Sequence, residues 1–178
     1  AMGNIGKTLD FMRGSCNVNG SFSRNESHLF SQSQAVNSVS TGWSVGGKIS
    51  GSPCRWVSFD YRIDYSDSRL TMNGLSESWL STMENELSLT FIPHRKWQWT
   101  VSGEHYRNEL TENNYKNIVL LDTKLTYQLN KKIELAASLS NILDKRSYNY
   151  TTYSELSSFE SQRQLRGRQL LFSITLRK

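Results

Sequence analysis

The sequence predicts an all-β fold, an antiparallel up-and-down meander of about eight long strands that forms a closed or nearly closed β-barrel. Three observations carry that expectation: period-2 alternation recurs along the chain, no comparable stretch has helical apolar spacing, and short connections alternate with long ones. At 178 residues one domain is the natural reading, with residues 1–6 as a cloning scar and flexible N-terminus and 7–178 as a single barrel without a plug domain. A hydrophobic share of 37% is thin for an ordinary interior, yet 11% aromatics and only 2 prolines exclude a disordered chain.

The strands are expected near 7–23, 37–51, 55–68, 80–92, 97–109, 117–129, 133–148 and 160–177. In the second, Trp43, Val45, Gly47 and Ile49 hold the apolar phase. In the third, Val57, Phe59, Tyr61, Ile63 and Tyr65 alternate with Ser58, Asp60, Arg62 and Asp64, which gives a strand two unlike faces. The same rule runs through Met83 to Phe91 and through Leu121 to Leu129. It returns at Ile133, Leu135, Ala137 and Leu139, and finally at Leu170, Phe172, Ile174 and Leu176. Ser52-Pro53-Cys54, Pro93 to Lys96 and Asn130 to Lys132 are tight turns, whereas Asn25 to Val36, Arg69 to Leu80, Leu110 to Lys116 and Tyr148 to Phe159 are longer polar connections. Short turns at one end and long loops at the other is the pattern of an outer-membrane barrel.

Large rings gather at the short-turn end: Trp56, Phe91, Trp97, Trp99 and Tyr127. Indole and phenol prefer the boundary between hydrocarbon and water, so this placement suits an interfacial girdle. The opposite face carries both signs of charge, with Asp60, Arg62, Asp64, Glu84, Glu86, Asp122 and Lys124. Alternation defines two faces without saying which is inside.

Motifs for chemistry are weak. Gly42-Trp43-Ser44-Val45-Gly46 spells a nucleophile elbow, and Gly42 to Lys48 nearly spells a phosphate loop, but both lie within a strand alternation with no helix to follow. Isolated His28, His94 and His105 and the lone thiols Cys16 and Cys54 lack metal-ligand spacing, so no catalytic residue, metal or cofactor is expected. The net charge is +5, but the basic residues are scattered along the sequence, which argues against a nucleic-acid partner. No apolar run is long enough for a membrane helix, and residues 3–7 lack the apolar core of a secretory signal.

Asn141-Ile142-Leu143-Asp144-Lys145, the Tyr-rich Tyr148 to Tyr153, Gln164-Leu165-Arg166-Gly167-Arg168-Gln169 and the closing amphipathic strand together resemble the C-terminal part of TonB-dependent-receptor-like outer-membrane β-barrels of the Bacteroidetes type. Phe91 to Trp97 and Ser102 to Tyr106 are similar to the same family. The resemblance implies outer-membrane localisation, contact with membrane lipid, and a structural and transport-related role without catalysis, the chain being a truncated portion of such a receptor. It carries over no functional residue. Loop position and composition make Tyr148, Tyr150 and Tyr153 candidates for touching a small-molecule, peptide or glycan ligand. Free edge strands would add self-association. The competing expectation is a soluble lipocalin-like ligand-binding barrel with its apolar face inward.

Overall fold

The computed structural model describes residues 1–31, 34–76, 79–111, 113–153 and 158–176. Nine strands hydrogen-bond in one antiparallel meander: β1 (Met2–Leu9), β2 (Gly14–Ser31), β3 (Gln34–Cys54), β4 (Val57–Met72), then β6 (Leu80–His94), β7 (Trp97–Thr111), β8 (Asn114–Gln128), β9 (Ile133–Ser140) and β12 (Gln169–Leu176). The short β5 (Leu75–Ser76) pairs only with the end of β4, and β10 (Ser147–Tyr153) and β11 (Ser158–Gln164) form a separate hairpin. Among the described residues no hydrogen bonds close the sheet, so β1 and β12 are its two edges.

The eight expected strands become nine through local backbone chemistry. The stretch 7–23 is broken by the short 3₁₀ turn η1 (Asp10–Met12), where Arg13 takes a left-handed φ of 45° and reverses the chain into β2. Residues 2–6, expected as a flexible tail, therefore pair along β2 from Met2↔Ser21 onward. The stretch 133–148 ends as a strand at Ser140, because Asn141 turns left-handed at φ 51°. The last stretch divides at 165–168 into β11 and β12.

Two of the expected polar loops are strands. β2 and β3 stay in register out to Ser31↔Gln34, and β7 and β8 pair out to Thr111↔Asn114 with a register shift between Glu109 and Thr111. At a third, Arg69 to Leu80, Asn73-Gly74 takes positive φ at both residues (48° and 81°), the geometry that tight hairpins select, and the fourth, Tyr148 to Phe159, enters β10 and β11. Both prolines lie at register shifts beside short turns, Pro53 between Gly51 and Cys54 and Pro93 between Phe91 and His94. A residue with no N–H to donate is tolerated at such bulges.

Register places one apolar row after another across the sheet. Val57, Phe91, Trp99, Leu125, Ala137 and Phe172 are consecutive partners from β4 to β12, and Ile5, Val18, Gly47 and Ile63 continue the same face from β1 to β4. Large side chains on that face stand open: Trp99 keeps 48% of its surface exposed and Phe172 76%. The buried residues Leu70, Leu80 and Ile118, with Ser38 and Asn108, all sit on the other, polar face.

Candidate functional site on the concave polar face

Partnered positions of β2, β3, β4, β6 and β7 enclose a cavity of about 680 Å³ on the polar face, so the sheet curves around its polar side. Its rim carries Lys48, Asp60, Arg62, Asp64, Glu86 and Glu104. These residues stand side by side through register: Lys48↔Arg62↔Glu86↔Glu104 forms one cross-strand row. Lys48 pairs with Asp60 at 3.8 Å, Arg62 bonds Asp64, and the Tyr106 hydroxyl donates to Glu104 at 3.0 Å. Gly46 makes this crowding feasible, since a Cβ there would lie 2.5 Å from Asp64 Oδ1 and 2.8 Å from Asn19 Oδ1. The result is a wall of hydrogen-bonding groups suited to polar solutes.

The upper part of this concave face is covered from inside by the β10–β11 hairpin. The chain leaves the sheet at Ser140, level with Leu121–Asp122, while β8 runs on to Asn114. Tyr148 then packs on Tyr106 with ring centroids 5.5 Å apart, and its hydroxyl accepts from Asn108 Nδ2 at 2.8 Å. A second pocket, of about 170 Å³, lies between Glu104, Asp122 and the 165–167 segment at the hairpin's foot.

That foot is built by the two C-terminal motifs meeting in space. The Asn141 backbone N–H donates to Asp122 Oδ1 (2.6 Å), its Nδ2 donates to the carbonyls of Lys145 and Arg166 (2.8 Å each), and its Oδ1 accepts from the Lys145 N–H (2.9 Å). Asp144 accepts from Arg146 (3.0 Å) and from the Arg168 backbone N–H (2.9 Å), and Arg168 Nε donates to the Ile142 carbonyl (3.0 Å). Those hydrogen bonds, the Arg146 one first, hold the Asp144 carboxyl below its ordinary range. Gly167 is required by close approach: a Cβ would meet Asp144 Oδ1 at 2.8 Å and the Arg146 guanidinium at 3.1 Å.

Of the three candidate ligand contacts, Tyr148 is half-buried against β7 rather than free, while the side chains of Tyr150 and Tyr153 lie outside the described residues. Ser44 of the elbow-like motif is in the middle of β3, its Oγ 2.8 Å from Ser21 Oγ. His105 lies between Asn85 and Asn117, His94 is the last residue of β6, and His28 is partnered with Asn37 near the far end of β2. Among the described residues no group of three potential ligands is arranged for a metal, and Cys16 and Cys54 are free thiols. The sequence pattern alone missed the Asn141–Arg166 junction, although the unusual left-handed preference of asparagine was its signal. Compared with protein-family models, curated proteins and solved structures, the chain matches none of them.

Proposed function

We propose that this sheet is part of the wall of an outer-membrane β-barrel, with a structural and transport-related role in a TonB-dependent-receptor-like protein and no chemistry of its own. One observation carries the reading: large side chains on the apolar face stand exposed from β1 to β12, among them Ile5, Val45, Leu87, Trp99, Leu125 and Phe172, while the buried apolar side chains Leu70, Leu80 and Ile118 lie on the charged face. A soluble lipocalin-like barrel would enclose the apolar face instead. The aromatic rows add a scale. Phe91 and Trp99 stack at 5.6 Å beside Val57, and Trp43 and Tyr65 at 5.2 Å eight residues higher on β4. Eight residues rise about 26 Å along a strand, or roughly 20 Å after a barrel tilt of about 40°, close to the ~25 Å apolar band of outer-membrane barrels.

In this reading the polar cavity is lumen wall and β10–β11 is a loop folded into the lumen, where a passing solute meets it from inside. Size-exclusion chromatography with light scattering tests the assignment. The chain is expected to be monodisperse only with detergent or a bilayer to cover the apolar face. A monodisperse, detergent-free species that keeps its β-structure would overturn it.

A further inference from the structure

The turn end of the sheet collects the chain's excess charge. Arg13 caps η1, Arg55 sits in the β3–β4 turn, Arg95 and Lys96 form the β6–β7 turn, and Lys131 and Lys132 lie between β8 and β9; all six are exposed. Backbone hydrogen bonds from Ile92 N–H to the Trp56 carbonyl (2.7 Å) and from Gln128 N–H to the Lys96 carbonyl (2.8 Å) tie neighbouring turns into one rim. Asp10 is the single carboxylate in these four connections, so the rim carries an excess of five positive charges, as large as the formal net charge of +5 of the whole chain. None of the ion pairs found among the described residues involves the six cations.

Directly inward from this rim stand the rings. Trp56 is in a turn, and Trp97 packs on Tyr127 at 4.5 Å, beside the Phe91–Trp99 pair. In the same two cross-strand rows, toward β12, the small side chain of Ala137 leaves an apolar groove of about 310 Å³, bounded by Trp97, Tyr127, Leu135, Phe172 and Ile174. Cations at the rim, with amphipathic rings and an apolar groove side by side just inward of it, match the passage from water through headgroups to acyl chains.

We propose that the turn-end rim is a docking surface for anionic phospholipid headgroups, with the cations on phosphates, the rings at the boundary and an acyl chain in the groove beside Ala137. The proposal rests on the membrane reading above and adds which lipid chemistry the rim selects. A nucleic acid would satisfy the cations but would leave the groove and the apolar rows behind it uncovered.

Binding of the whole chain, delivered from detergent, to phosphatidylcholine vesicles and to vesicles that also contain phosphatidylglycerol separates the alternatives. At low salt the anionic vesicles are expected to bind more tightly, by about fivefold for each cation engaged. High salt removes that preference through screening, as does the variant R95Q/K96Q/K131Q/K132Q, with binding to neutral vesicles unchanged. The salt arm needs no variant, so a misfolded mutant does not spoil the test. Equal affinity for both vesicles at low salt would overturn the headgroup proposal and leave the membrane reading standing. Binding to neither would remove both, and equally tight binding of duplex DNA would show a general polyanion surface instead.

Discussion

Asn141 ties the foot of the β10–β11 hairpin together. Its amide closes contacts to Lys145 and Arg166 across 25 residues of sequence, and its backbone holds φ 51°, where asparagine is better tolerated than alanine. Asn141→Ala removes three side-chain hydrogen bonds and adds backbone strain, an expected loss of roughly 2–4 kcal/mol from the stability of the hairpin foot. Asn141→Gly loses the same bonds without the strain and is expected to cost about 1 kcal/mol less. Hydrogen exchange of the Leu165 amide, which donates to the Arg146 carbonyl at 3.0 Å, reads the opening of the foot. Equal protection in wild type and Asn141→Ala would refute the role. Asp144 adds a pH dependence to the same junction. Its carboxyl is held below the ordinary range by Arg146 and the Arg168 N–H, so its contribution is complete above the unfolded carboxylate pKa and is lost as pH falls through the lowered folded value. The protection of Leu165, corrected for intrinsic exchange, is therefore expected to fall on acidification in wild type, and Asp144→Asn should flatten that dependence; an unchanged slope in the variant contradicts it.

At the scale of elements, the strands whose faces differ most in polarity were the most legible. β4 from Val57 to Tyr65 and β6 from Met83 to Phe91 alternate cleanly in sequence, and their registers with each other and with β7 place Tyr61, Leu87 and Gly103 on one face and Arg62, Glu86 and Glu104 on the other. The outer half of β2 carries polar residues on both faces, with Arg24↔Thr41 beside Asn25↔Ser40, and so from Asn25 onward it reads as loop until the partner strand is known. Breaks inside strands were hidden for a different reason. A single left-handed residue at Arg13 or Asn141 ends an element without changing the apolar count around it. The candidate site was legible as a charged face but not as a cavity, because its enclosure depends on curvature and on Gly46 leaving room for Asn19 and Asp64. Likewise the turn-end cations are dispersed in sequence from Arg13 to Lys132 and become a rim only when four connections meet.

For the whole molecule, strand direction constrains how the wall can be completed. Nine strands alternate in direction along the meander, so β1 and β12, the first and ninth, run the same way. Joining them would make a parallel seam in an otherwise antiparallel sheet, with hydrogen bonds less favourable per residue. An antiparallel closure requires an odd number of further strands, the total then being even as in bacterial outer-membrane barrels. β12 meanwhile carries no charged residue and no proline to discourage pairing, and all eight of its residues are exposed. The chain by itself is thus expected to leave both edges open in detergent. Hydrogen exchange resolved by residue measures this without knowing the seam's register: every second amide of β1 and β12 should exchange rapidly, while those of β4, β6 and β7, paired on both sides, stay protected. Protection of every amide in both β1 and β12, in a species shown to be monomeric, would mean that the sheet closes on itself through the parallel seam. The same protection in a dimer would instead mean that a second copy supplies the antiparallel partner, which the free edge of β12 permits.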